Sequence, residues 1–141
     1  MKKVFLWCCA VIFLSGCATW QKQELPPDEL SIEKRIGEGM IEAFSKQKYE
    51  EFIKHIPAGG RQLYSKDKFN EEQRQIASRL GKIVSYRFLT KLEMEPAHQL
   101  VWAVRFKSYT LKGEENYKEA IFSIVIGKVD ESRRVFLFGF K

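Results

Sequence analysis

The sequence predicts an α+β domain, with three amino-terminal helices packed on a curved four-stranded antiparallel sheet. Two observations predict it. Apolar residues recur every three or four positions up to Leu80, and every second position from Val84 to Phe140. The connections between the alternating stretches are short, and short connections join antiparallel neighbours, since a parallel return needs about a dozen residues or more. Helices first and strands afterwards is the α+β order.

From Ser31 the spacing is helical. Ile32, Ile36, Met40, Ala43 and Phe44 fall on one face. Asp28 or Ser31 is placed to accept the free amide hydrogens of the first turn, and Glu33 stands early, where the helix dipole favours an acid. Gly37 and Gly39 each weaken a helix by roughly 1 kcal/mol relative to alanine, and small residues there let another element approach closely. Tyr49, Phe52, Ile53 and Ile56 make a second, shorter stripe, stopped by Pro57 and an interhelical turn at Gly59-Gly60. A third helix runs from about Lys66 to Leu80, with Phe69, Ile76, Ala77 and Leu80 inward. Gly81 follows where a left-handed cap residue belongs.

Four strands follow. Val84, Tyr86, Phe88 and Leu92 are the inward set of the first, and Leu100, Trp102, Val104 and Phe106 of the second. Phe122, Ile124 and Ile126 serve the third, and Phe136, Phe138 and Phe140 the fourth. The opposite face carries Val101, Ala103, Ile121, Ser123, Val125, Val135 and Leu137. A solvated sheet face would be polar there. A contiguous apolar patch marks an interaction surface, for a second copy or an envelope protein, unless the chain's own segment from Ala18 to Pro27 folds over it.

The amino terminus states a location. Lys2 and Lys3 precede an apolar run from Val4 to Leu14, closed by Leu14-Ser15-Gly16-Cys17. A charged start, a short apolar stretch and small residues before a cut describe a signal peptide. The run is shorter than the roughly 20 apolar residues of a membrane helix. The cut site resembles the lipobox of bacterial lipoproteins. That resemblance implies a lipid attached at Cys17, cleavage before it, and anchorage to the membrane through fatty acyl chains. Ala18 after the cysteine implies, in a two-membrane host, the outer membrane facing the periplasm. The expected organisation is a signal peptide at 1–16, a lipidated tether at 17–30 stiffened by Pro26-Pro27, and a single domain at 31–141.

Composition excludes several classes. The other cysteines, Cys8 and Cys9, leave with the signal, so neither a disulfide framework nor a cysteine nucleophile is expected. The formal charge is +6, and losing Lys2 and Lys3 leaves +4, because all 18 acidic residues lie beyond Gly16. Both signs are interspersed, as in Glu33-Lys34-Arg35, whereas a nucleic-acid partner would need a stripe of one sign.

The helix order, Phe44, Tyr49-Glu50-Glu51-Phe52, Gly81-Lys82-Ile83 and the strand Trp102-Ala103-Val104-Arg105-Phe106 together resemble the nuclear-transport-factor-two-like (cystatin-like) superfamily. The resemblance covers about Ile32 to Lys141 and implies a cone-shaped fold. None of these residues is a catalytic signature, and the superfamily hosts enzymes, binders and scaffolds alike.

Its enzymes place ionisable groups inside the cone. Here only Tyr86, Thr90 and Ser108 interrupt the apolar inward sets, and no Asp or Glu alternates inward on a strand. Asp67 and Glu71 belong to a helix start. His55 ends a helix, where a cation suits the dipole, and His98 opens a strand. Neither has a partner at ligand spacing, so neither a metal nor a cofactor is expected. Gly59-Gly60-Arg61 lacks the lysine of a phosphate loop. The reading is therefore a non-enzymatic binding or interaction module at the cell envelope. The alternative is a carrier of a small apolar ligand, or a vestigial enzyme, with Tyr86, Trp102, Ser108 and Phe138 lining an aromatic cone.

Overall fold

The computed structural model describes residues 28–141. The signal peptide, Cys17 and the segment up to Pro27 lie outside the described residues. The chain runs α1 (Glu29–Ser45), α2 (Tyr49–Phe52), α3 (Ala58–Leu63), α4 (Lys66–Leu80), β1 (Lys82–Met94), β2 (Ala97–Tyr109), β3 (Glu115–Val129) and β4 (Ser132–Phe140). Among the described residues no helix is long and apolar enough to cross a membrane. The strands form one antiparallel sheet in the order β1-β2-β3-β4.

Helix α1 starts two residues ahead of the expected Ser31, because Asp28 is the cap: its carboxylate accepts the Ser31 amide at 2.6 Å. Ile36, Met40, Ile41, Ala43 and Phe44 are buried against the sheet. The helix ends without glycine. Gln47 takes φ +58°, and the amides of Lys48 and Gln47 close onto the carbonyls of Ala43 and Phe44 at 2.8 and 3.3 Å. That pair of bonds is a Schellman closure. The expected turn at Gly59-Gly60 is instead helical, as α3. Arg61 from this short helix donates to the carbonyls of Ile56 and Lys54, at 2.7 and 2.9 Å. Those bonds tie the α2–α3 connection to α3.

Helix α4 is capped by Ser65, buries Phe69 and Ile76, and ends at Gly81. Glycine is required there twice over. Its φ is +99°, and a Cβ would lie 2.2 Å from the Lys107 carbonyl oxygen.

Trp102, Phe106, Phe122, Leu100, Val104, Ile124 and Ile126 are fully buried beneath the helices, as the alternation of β2 and β3 requires. Rings interlock across the layers: Phe44 meets Phe69 edge-on at 5.6 Å, and Phe138 meets Tyr64 at 4.8 Å. The outer strands depart from simple alternation. Two register shifts in β1 turn Ile83, Tyr86 and Phe88 toward the core and leave Val84 and Leu92 exposed. A shift in β4 pairs Val125 with Leu137 but Ile126 with Val135, so Phe136 is an extra residue. Val135 is consequently in the core, with no exposure, and Phe136 is 47 % exposed. Both were expected on the opposite sides.

Candidate functional site

The interior of the cone is occupied by the protein's own side chains. Helix α1 crosses β2 so closely at Gly37 that a Cβ there would stand 2.1 Å from the Trp102 ring. Phe88 covers the indole on one side at 5.5 Å and Phe122 on the other at 6.1 Å. The residues expected to line one pocket are dispersed. Tyr86 borders a groove of about 260 Å³ between α1 and β1. Its hydroxyl donates to Glu42 at 2.9 Å. Burial and that carboxylate push the Tyr86 pKa up to about 12. Trp102 is sealed in the core. Ser108 lies near the β2–β3 turn and donates to the Asn116 carbonyl at 3.4 Å. Phe138 packs among Phe52 and Tyr64 at the far side of the domain.

One buried ionic cluster escaped the sequence reading. Glu33 is completely buried. Arg133 from β4 brings Nε to 3.2 Å from Glu33 Oε1 and Nη2 to 2.8 Å from Glu29 Oε1, and Lys128 Nζ stands 2.8 Å from that same oxygen of Glu29. His98 lies with Nδ1 2.6 Å from Glu93 and Nε2 3.9 Å from Glu33. Neither Glu33 oxygen meets a well-aligned donor among the described residues, so its attachment to Arg133 is chiefly charge attraction. Lys128 and Arg133 hold the Glu29 carboxyl down at about 2. The signal in the sequence was position: Glu33, Gly37, Met40 and Phe44 lie on one stripe of α1, so this acid occupies a core place. The cluster fastens the start of α1 to the ends of three strands. A general base must reach a substrate proton, and Glu33 is sealed from solvent. No group of three His, Cys, Asp or Glu side chains is arranged for a metal among the described residues.

His55 is half-buried, and desolvation with Lys54, Arg134 and Arg61 nearby pushes its pKa down. This favours the neutral ring, contrary to the cation expected from its place at a helix end. Its backbone carbonyl accepts the Val135 amide at 2.9 Å.

Two apolar surfaces remain among the described residues. The outer sheet face joins Ala103 to Ile121, Val101 to Ser123, and Val125 to Leu137 across neighbouring strands. Ala103 is itself buried between longer neighbours, Ile121 is 37 % exposed and Leu137 67 %. Val135 drops out of this face because of the β4 bulge. Beside it, α3, α4 and β4 enclose a groove of about 590 Å³, with Ile56, Tyr64 and Phe138 as floor and Lys68, Glu71 and Gln75 on the rim. At its margin the Tyr64 hydroxyl donates to Glu72 at 2.5 Å, and burial together with that carboxylate raises the phenol pKa.

No protein-family model and no curated protein sequence matches the chain. Solved structures do. Aln2 from a Streptomyces species superposes with a TM-score of 0.54 at 15 % identity, over 84 % of this chain and 94 % of that one. A substituted form of Rd1NTF2_05 gives 0.54 at 11 % identity, over 81 % of this chain and all of that one, 100 %. AclR of Streptomyces galilaeus, described as a candidate hydroxylase, gives 0.50 at 10 % identity, over 79 % and 78 %. At such identities the likeness is one of fold. The chain has the nuclear-transport-factor-two-like fold, helices followed by an open four-stranded antiparallel sheet.

Proposed function

We propose that this protein is a lipoprotein of the bacterial cell envelope, and that its folded domain is a non-catalytic binding or interaction module. The observation that carries the reading is where the apolar surface lies. The cone is filled by Trp102, Phe106 and Phe122, all fully buried, while Ile121, Phe136 and Leu137 face outward. Buried area rewards contacts on the outside of such a domain, and a filled interior leaves little room for a substrate. The lipobox supplies the membrane half: Cys17 carries the lipid, and the segment up to Pro27 spans at most about 35 Å, which keeps the domain near the bilayer.

Photo-crosslinking in intact cells tests the module. A photoreactive residue at Val125 or Leu137 is expected to yield one discrete adduct, and the same residue at exposed Glu50 none. Adducts as diffuse from Val125 and Leu137 as from Glu50 would overturn it. The carrier reading fares worse, because Tyr86, Trp102, Ser108 and Phe138 do not surround a common cavity.

A further inference from the structure

We infer that the free edge of β4 is a strand-acceptor site, which takes an extended apolar peptide of a partner protein as a fifth strand. This rests on the interaction reading above and names the chemistry of the partner.

Among the described residues, β4 leaves backbone groups open along its outer edge. β4 closes one side of the sheet. Ile121 and Lys141 exchange both backbone hydrogen bonds, at 3.0 and 2.8 Å. Bonded and non-bonded pairs alternate along an antiparallel ladder. With Ser123 opposite Gly139 and Val125 opposite Leu137, those residues also face β3. The amides and carbonyls of Phe138 and Phe140 therefore face away from the sheet. Alternating donors and acceptors at strand spacing are matched by another extended backbone.

The two edges of the sheet differ in their protection. Exposed edges are ordinarily blunted by charges and bulges. β1 has both: Lys82, Arg87, Lys91 and Glu93, with two register shifts. From Val135 to Phe140, β4 carries no charge at all. Its one bulge, at Phe136 in mid-strand, lies next to Val135, whose amide the His55 carbonyl already accepts. Among the described residues, the unprotected stretch begins where the cover from the α2–α3 connection ends.

The groove between α3, α4 and β4 runs alongside this edge. A residue paired opposite Phe138 projects on the same side as Phe138, toward the floor formed with Tyr64 and Ile56. Leu63 stands 80 % exposed on the α3 side. The rim sets the charge. Glu71 is engaged by Arg74 and Gln75, and Glu72 by Tyr64. Lys68, with Nζ 5.9 Å from the Tyr64 ring centre, is the cation on this rim. The fitting peptide is extended, apolar at alternate positions, and acidic beside Lys68.

The test uses the full-length protein and short synthetic peptides of alternating valine and threonine, ending in glutamate or in lysine, plus a version with a central proline. Amide exchange at Phe138 and Phe140 is expected to slow by about tenfold or more with the glutamate peptide, less with the lysine peptide, and not with the proline one. Lys68→Glu should reverse the preference between the charged peptides. Leu63→Glu, at an exposed position, should abolish protection while melting like the parent. Equal effects of the proline and uninterrupted peptides, or none up to millimolar concentration, would overturn the inference. So would edge amides already protected in the free protein. Protection that vanishes when residues 18–27 are deleted would assign the edge to this chain's own segment, and protection that grows with protein concentration would assign it to a second copy. Failure here with discrete crosslinks from Val125 would leave the interaction module standing and remove only the strand-acceptor site.

Discussion

Gly37 of α1 lies against the flat of the Trp102 indole, so close that a methyl group would sit 2.1 to 2.8 Å from three ring carbons. The helix can cross the sheet at this depth only because residue 37 has no side chain. Gly39, two residues on, has nothing within 4 Å of the same hypothetical atom. Gly37→Ala is expected to destabilise the fold by about 1–3 kcal/mol, the usual cost of overpacking. Gly39→Ala is expected to stabilise it by about 0.4–1 kcal/mol through loss of unfolded-state freedom. Chemical denaturation of the two variants checks both signs.

The β4 bulge makes a paired prediction. Val135→Lys places a charge in the core and should leave little folded protein, since an unpaired buried charge is among the largest destabilising changes. Leu137→Lys, two residues later, should shift stability by no more than about 0.5 kcal/mol. Circular dichroism melting of both variants decides it. Similar losses would mean that β4 alternates without interruption.

Trp102→Ala removes a fully buried ring and should cost about 3–5 kcal/mol, a large part of a small domain's total. Phe138→Ala should cost less, because its ring is only partly buried against the core. Urea midpoints for the two variants provide the comparison.

The buried cluster predicts non-additivity. Arg133→Met alone leaves Glu33 in the core without its cation and should cost about 3–5 kcal/mol, whereas adding Glu33→Leu to it should recover much of the loss. A double-mutant cycle measures the coupling. Glu29 adds a pH signature. Its carboxyl is held at about 2, below the ordinary 4.5, by Lys128 and Arg133. A depressed carboxylate contributes stability above its unfolded pKa and loses it as pH falls through the folded one. Glu29→Gln should therefore flatten stability between about pH 4.5 and 2, and leave its slope near neutrality unchanged.

Cys17→Ser should abolish labelling by radioactive fatty acid and release the protein from the membrane fraction. Normal membrane attachment of that variant would overturn the lipoprotein reading.

What the sequence by itself determined follows from local repetition. The change of period near Gly81 separated helices from strands, the short turns made every neighbour antiparallel, and β2 and β3, flanked on both sides, kept strict alternation. Even the close approach at Gly37 was legible as a small residue within an apolar stripe. Tertiary structure decided the rest, at the edges and in the contacts between distant elements. Central strands are held in register by two partners, whereas β1 and β4 have one each and absorb the twist of the sheet as bulges. That is why Val135 and Phe136 changed sides. Glu33 and Arg133 are a hundred residues apart in the chain, and no spacing rule joins them. Only when α1 settles over the start of β4 does an acid that looked like a helix-dipole residue become the buried partner of an arginine.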